Sequence, residues 1–401
     1  MNPSKNRTRY PIYILLATVS VIAVSIRCLG RDIITADFEN CLNLWHLDML
    51  HAGPGIDALL AYTGDYPMPY AFIIWLLGKL PIPFLYSWKL FNVFFDFALA
   101  VTAGKVVKQL KPEHPHSFVL GFCITLLLPN VILNSGFWGQ CDCVYTTFLL
   151  AAFYFWLRKK YPAVMLMLGI AFSFKLQSIF FMPFLLIAYW LERKFSILQF
   201  LLIPVTMFVM NIPAILAGYS PMITFTKYIG LTTECPWLYY YYPNIWFFYQ
   251  IRPYYRFGTS PILLTVVVLL IFVLLLVKKK VRLNQENALP VLLWTAYTCA
   301  FFLPAMHERY GYFMELLAVI MAIVNIRSLW IPLIMIACTL PKYLFAVGIG
   351  ENPLSIQMAE AFGNSVLYVV YTCVLWSQLF QRNEHRHLLK SEKEGKAYAE
   401  I

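Results

Sequence analysis

The sequence predicts an all-α polytopic membrane protein with about twelve transmembrane helices. Three observations carry this. The 401 residues are 60% hydrophobic and 13% charged, where soluble domains run near 25% charged, and the mean hydropathy is +0.66. Apolar runs long enough to cross about 30 Å of hydrocarbon recur from end to end. The runs are continuous rather than alternating, which fits helices and not a barrel, the only two backbones that satisfy themselves in lipid.

The expected spans are 10–27, 89–106, 117–134, 142–157, 161–174, 177–191, 197–217, 261–277, 288–304, 310–326, 329–347 and 363–380. The stretch 68–86 decides the topology. If it crosses, every later basic cluster inverts. If it lies in the interface, Lys5/Arg7/Arg9, Lys105/Lys108/Lys111, Arg158/Lys159/Lys160, Arg193/Lys194, Lys278/Lys279/Lys280/Arg282, Arg327 and the tail from Arg382 share one side. That agreement is the positive-inside pattern. Pro67, Pro69, Pro81 and Pro83 bracket the stretch and suit a surface or re-entrant helix. The reading is therefore one transmembrane domain over 1–380, a charged cytoplasmic tail over 381–401, and both termini cytoplasmic. A long first non-cytoplasmic loop, about 28–88, carries interfacial helices.

The net charge of +11 belongs to these short loops, so it points away from nucleic acid and toward the lipid bilayer as the first partner. The N-terminal Lys5–Arg9 followed by an apolar run reads as a retained first span, because no small-residue cleavage site follows. Cys28, Cys123, Cys299, Cys338 and Cys373 read as small hydrophobes. Cys141 and Cys143 lack the spacing of a zinc site, and no metal site is expected. Cys41, Cys141, Cys143 and Cys235 face outside, where a disulfide could form. No phosphate-cradling glycine loop is present, so any chemistry lies outside and runs without ATP or a soluble nucleotide sugar. The tail from His385 is charged and reads as unstructured.

Polar residues then gather in a few outward segments. Thr35–Trp45 places Asp37 and Glu39 near the outer surface, with Cys41 on the face of Asp37 at helical spacing and Trp45 below. The bland alternative is a solvated loop with an aromatic anchor. Gly64–Tyr70 holds Asp65 and Tyr66 in a proline-stiffened turn that Asp65 could simply complete. Asn134–Asp142 contains Gln140 and begins a span with Asp142, a candidate by its depth or a helix cap. Lys175 and Gln177 interrupt an apolar stretch, where Lys175 could equally snorkel. His307, Glu308, Arg309 and Tyr310 form the densest polar cluster, suited to an anionic group at a helix start or to an Arg–Glu cap. Tyr239–Tyr249, with Asn244, is an aromatic surface fit for a membrane belt or a sugar ring.

In order and spacing these segments resemble the GT-C membrane glycosyltransferases, in particular the dolichyl-phosphate-glucose-dependent α-1,3-glucosyltransferases and their prokaryotic relatives. Asp37-Phe-Glu39 with Trp45 looks like the family's Asp-Tyr-Glu and Trp motif, and Asp65-Tyr-Pro-Met-Pro-Tyr70 like its Asp-Tyr-Pro-Pro. Lys89-Leu-Phe and Asp96 resemble the start of its second span, and Phe174-Lys-Leu-Gln177 its Tyr-Lys-Gln. Asn244-Ile-Trp246 and His307-Glu308 are similar to its Asn-Ile-Trp and His-Glu. The ordered set covers roughly 37–315, within a motif-bearing part of about 10–326. Met68 departs from the pattern by replacing a proline, and the C-terminal spans carry no matching motif.

The resemblance implies inverting, metal-independent transfer of a hexose from a polyprenyl-phosphate sugar to a hydroxyl of a glycan, lipid-linked or glycoprotein acceptor. Asp37 would be the general base. His307, Arg309 and Lys175 would steady the departing phosphate, with Asp65 and Gln177 on the donor. Glu39, Trp45, Tyr66, Gln140, Asp142, Asn244, Glu308 and Tyr310 would support them. No cofactor is expected. The compact chain, without an ER-retention signal, points to a prokaryotic plasma membrane, or an ER membrane in a eukaryote. A transporter or flippase for a lipid-linked saccharide is the rival reading. It expects paired charges at the midplane rather than at one surface.

Overall fold

The structure, a computed structural model, describes residues 9–231, 237–249 and 253–399. Among the described residues all regular structure is helical. The remaining pairing is two isolated bridges, Trp237 with Pro253 and Tyr239 with Met306. The helices used below are α1 (Arg9–Leu29), α2 (Asn43–Ala52), α3 (Met68–Leu77), α4 (Phe84–Leu110), α5 (Ser117–Leu127), α6 (Asp142–Leu157), α7 (Tyr161–Phe174), α8 (Met182–Glu192), α9 (Leu202–Met210), α10 (Thr259–Lys278), α11 (Ala288–Phe302), α12 (Tyr312–Val324), α13 (Trp330–Ala346) and α14 (Leu354–Ala399).

Among the described residues, five stretches are long and apolar enough to cross a bilayer: Tyr10–Leu29, Phe84–Leu110, Thr259–Lys278, Ile326–Ala346 and Leu354–Phe380. A sixth is the pair Ser117–Leu127 and Pro129–Trp138, if its 55° bend is counted as one span. This falls short of the twelve expected from run length. The difference lies in apolar helices of 10–17 residues. At 1.5 Å per residue these reach about 15–26 Å, less than the hydrocarbon thickness of about 30 Å. Apolar runs overstate helix length because prolines restart the helices inside them. The expected span 177–191 is divided into a 3₁₀ turn (Leu176–Phe181) and α8, with a proline in its first turn, and the expected span 197–217 into a second 3₁₀ turn (Ile197–Leu201), α9, and Ile212–Leu216, again with a first-turn proline. The stretch 68–86 holds only the ten-residue α3 before Pro81 and Pro83 lead into α4. The tail, expected to be unstructured, continues α14 as helical backbone to Ala399. Its Lys, Glu, Leu and Ala content favours helix, which outweighed the charge argument.

The bundle is organised around α4, which packs on α5 and α6, while α6 packs on α7, α7 on α9 and α13 on α14. Small residues permit the tightest crossing. A Cβ on Gly121 of α5 would lie 2.8 Å from Gly104 Cα of α4, so the backbones touch.

Charges inside the bundle are paired. Arg27 of α1 meets Asp96 of α4 through Nε at 2.7 Å. Its other nitrogens donate to Ala23 O and Leu126 O, both at 3.0 Å. Ser135 Oγ also donates to Asp96. The carbonyl of Leu126 is available because Leu128 is extended and Pro129 restarts the helix. Lys89, buried near the start of α4, donates to Gly30 O (2.6 Å), Ile33 O (2.8 Å) and Phe137 O (3.1 Å). One ammonium thus ties the end of α1 to the segment before Asp37 and to the segment before Gln140.

Removing one partner of a buried pair leaves an uncompensated charge, at a cost of about 3–5 kcal/mol. Arg27→Leu is therefore expected to lower stability by that amount in detergent unfolding, and Arg27→Leu/Asp96→Leu to recover most of it. Equal stability of the single and double variants would remove the pairing argument.

Candidate functional site

The site is built where segments far apart in sequence end at the same place. Asp37 follows Thr35, whose hydroxyl donates to Trp138 O at 3.0 Å and accepts from Phe38 N at 3.4 Å. The next residues, Phe38–Leu42, form a π-helical turn. Leu133–Trp138 form a second one. Single π turns of this kind often mark functional positions. Gly139 follows with φ 78°, a left-handed conformation that glycine adopts without strain. Its carbonyl accepts from Trp88 Nε1 at 2.6 Å. This fixes Trp138 and Gln140 against Asp37, whose Oδ2 accepts from Trp138 Nε1 (3.1 Å) and Gln140 Nε2 (2.5 Å).

Asp142 is the first residue of α6 and does not cap it. Its Oδ1 pairs with Lys175 Nζ at 2.7 Å, and its Oδ2 accepts from Asn134 Nδ2 at 2.9 Å. Asn134 Oδ1 in turn accepts from Asp142 N at 3.3 Å. Lys175 is buried, at the break between α7 and the following 3₁₀ turn, so it does not snorkel. Its ammonium lies 5.4 Å from the Tyr66 ring and 5.9 Å from the Tyr145 ring.

Arg309 joins the two acids. Nη1 lies 3.5 Å from Asp37 Oδ2 and 3.1 Å from Glu308 Oε1, and Nη2 is 3.4 Å from Tyr66 Oη. Its Nε, 3.6 Å from Asp142 Oδ2, is a buried donor with no hydrogen bond among the described residues. The guanidinium also lies over Trp138 (5.5 Å) and Tyr310 (6.0 Å). The result is an alternating chain Lys175–Asp142–Arg309–Asp37, with Glu308 on the same guanidinium.

His307 stands beside this chain, its ring edge-on to Tyr240 at 4.4 Å and near Tyr310 at 5.0 Å. Burial, then the positive charges of Arg309 and Lys175, hold its pKa well below the usual histidine value. The histidine expected as a cation is therefore neutral at rest. Burial raises the Glu308 carboxyl, opposed by Arg309. Burial also raises the Cys41 thiol, with Asp37 and Asp65 adding to it. Cys41, Cys141 and Cys143 are free thiols, and Cys235 lies outside the described residues.

The other expected residues divide. Trp45 packs its ring on Tyr62, Tyr66 and Tyr70 and so supports Tyr66. Asp65 is half-buried beside Tyr62, with Oδ1 lacking a hydrogen bond among the described residues. Asn244 is a staple. Its amide reaches Ala300 O (3.4 Å) and Leu303 O (3.5 Å), and its Oδ1 accepts from Trp246 N (3.1 Å). Glu39 is exposed, and Gln177 is half-buried on the 3₁₀ turn past Lys175. Trp138 and Asn134, which the sequence reading passed over, contact one acid each, Trp138 on Asp37 and Asn134 on Asp142. Their only signal was their place in the segment leading to Asp142. In comparisons with known proteins, the chain matches no family model and no curated protein.

A neutral His307 has a definite pH signature. Its folded pKa lies below the unfolded value of about 6.5, so the folded state resists a proton that the unfolded state accepts. Its contribution to stability is complete above about pH 6.5 and is lost as pH falls from there toward the folded pKa. His307→Gln should flatten that acid limb in unfolding measurements below about pH 6.5. An unchanged limb would mean that His307 titrates normally.

Proposed function

We propose that this chain is an inverting glycosyltransferase of the GT-C kind that moves a hexose from a polyprenyl-phosphate sugar to an acceptor hydroxyl on the non-cytoplasmic side of the membrane. The observation that carries the reading is the meeting of Asp37 with the Arg309–Asp142–Lys175 chain from four distant segments. A half-accessible carboxylate next to deeply buried cations is what transfer from a lipid phosphate needs. The side chain of Asp37 is 41% exposed and that of Asp142 is 0%, so Asp37 can reach an acceptor and Asp142 cannot.

In this mechanism Asp37 takes the proton of the acceptor hydroxyl as its oxygen bonds to the anomeric carbon. The bond from that carbon to the phosphate oxygen breaks and leaves a polyprenyl phosphate. Arg309 and Lys175 offset the charge of the departing phosphate. At rest Arg309 is engaged by Asp37 and Glu308. An arriving phosphate competes for it, draws Nε from its 3.6 Å ion pair with Asp142, and releases Asp37 toward the acceptor. Trp138 and Gln140 keep that carboxylate aimed. His307, neutral, serves as a hydrogen-bond donor or acceptor to the donor substrate rather than as a fixed cation.

With purified protein and a panel of radiolabelled polyprenyl-phosphate sugars, sugar should leave one of the lipids. Asp37→Asn, nearly isosteric but unable to take a proton, should cut that rate by about 10²–10⁴-fold. Glu39→Gln should remain near wild type. More than about a tenth of the rate in Asp37→Asn would place the base elsewhere. Activity with a nucleotide sugar alone would end the donor assignment, and lipid movement without transfer would favour the flippase.

The sidedness has its own measurement. Cysteines at Lys108 or Lys279 should be shielded from an impermeant thiol reagent in intact cells, and one at Asp57 labelled, in a background without reactive native cysteines. Labelling at Lys108 would invert the map.

A further inference from the structure

Among the described residues four acids are buried: Asp96, Asp142, Glu315 and Glu360. Three of them face a cation. Asp96 has Arg27 and Asp142 has Lys175, both at 2.7 Å, and Glu360 has Lys342 at 2.8 Å. Glu315, 1% exposed, has none among the described residues. The titratable groups around it are Asp142 of α6, Tyr242, and Cys338 and Tyr343 of α13. A carboxyl, two phenols and a thiol carry no positive charge in any protonation state. A lone ionised carboxylate in an apolar bundle is far costlier than a neutral acid.

The contacts of Glu315 suit the neutral form. It lies in the first turn of α12, with its amide on Gly311 O at 2.9 Å. The carboxyl turns back over Gly311, where a Cβ would come within 2.9 Å of Oε1 and of Tyr242 Cε2. Oε2 accepts from Asn130 Nδ2 at 2.6 Å, and Oε1 lies 2.7 Å from Thr339 Oγ1. Asn130 Nδ2 also donates to Thr339 Oγ1 at 3.1 Å. That hydroxyl has one hydrogen to give and a further acceptor, Met335 O, 3.3 Å away. With a proton on Oε1, the acid donates to Thr339 and Thr339 donates back along its own helix. Each hydrogen then has an acceptor.

Three elements meet on this carboxyl, and each reaches the Asp37 site. Helix α12 follows directly from Arg309, whose carbonyl accepts from Tyr312 N at 3.0 Å. Asn130 lies at the start of the segment that runs through Leu133–Trp138 to Gln140. Helix α13 presents Tyr343 edge-on to Trp138 at 5.5 Å. We infer that Glu315 works as a neutral acid, a positioning residue whose proton joins these three elements and spares the phosphate-binding cations a further negative charge. The positioning role rests on the glycosyl-transfer reading; the proton does not. Arg309 already faces Asp37, Glu308 and Asp142. Loss of the Glu315 proton sets up a charge that repels Asp142 and opposes an incoming phosphate.

The test compares wild type, Glu315→Gln and Glu315→Leu as full-length protein in nanodiscs. The amide is close in shape to the neutral acid and can keep both contacts, whereas leucine keeps neither. Infrared difference spectra between mildly acidic and alkaline buffer should show a protonated-carboxyl band that Glu315→Gln lacks. Glu315→Gln should fold with wild-type stability in the acidic buffer. Its failure to fold, or an unchanged band, would overturn the proton. With a radiolabelled polyprenyl-phosphate sugar as donor, Glu315→Leu should lower kcat about tenfold to a hundredfold, and Glu315→Gln should restore it. The wild-type rate should fall on the alkaline side, where Glu315→Gln should hold its rate. If Glu315→Leu does not fold, these two pH profiles decide. The same alkaline fall in both, or full activity in Glu315→Leu, would overturn the positioning role and leave the transfer reading intact. A wild type that transfers no sugar would sink the transfer reading, and the infrared band alone would then uphold or overturn the proton.

Discussion

Three backbone carbonyls converge on the ammonium of Lys89, and the site is held in place by that arrangement. Gly30, Ile33 and Phe137 belong to the end of the first helix, the segment before Asp37 and the segment before Gln140. None of these carbonyls closes a helical turn of its own beyond Gly30 with Ile33 N. In a membrane protein such groups have little water to turn to. One buried cation satisfies all three and brings their segments into register. Trp88, its neighbour in α4, adds the bond to Gly139. Two adjacent residues thus set the distance between Asp37 and its two donors.

The same constraint accounts for the charged chain beyond. A lysine and an arginine buried in an apolar bundle need acids, and acids there need cations. Alternation of Lys175, Asp142, Arg309 and Asp37 meets both needs. The chain is buried at one end and accessible at the other. Only its last carboxylate is accessible. Burial at Lys175 and exposure at Asp37 are two ends of one electrostatic arrangement.

Much of this was legible in the residues. The bounds of α6 and α7 match the apolar runs 142–157 and 161–174, because basic residues and glycine-free turns close them cleanly. Asp37, Asp142, Lys175 and Arg309 stood out as charges beside apolar stretches, and they meet. Other features left weaker marks. Tyr and Trp abound here, so nothing separated Trp138 from a membrane belt. The charge state of His307 depends on neighbours far away in sequence. Asn244 carried a motif, yet its side chain bonds only backbone groups among the described residues. Lys342 bore the same signal as Asp142, a charge in an apolar run, while Glu360 closes a polar stretch before the last span. They were passed over because the matched motifs end before them. The expected spans 177–191 and 197–217, each divided, show the limit of run length: composition alone does not say where a proline restarts a helix.

The pairing of Arg27 also bears on how the chain is made. Asp96 follows Arg27 by 69 residues and Leu126 follows it by 99. At about 5–20 residues per second the first partner emerges some 3–14 s after the arginine, and the second later still. Through that interval α1 sits in the translocation machinery or the bilayer with an unanswered guanidinium two residues from its end. A side chain of that length can bend toward the headgroups while it waits. The first helix is then only provisionally inserted, able to shift along its axis. It becomes fixed when the fourth arrives with its carboxylate. Synthesis order thus makes α4 the element that completes the placement of α1.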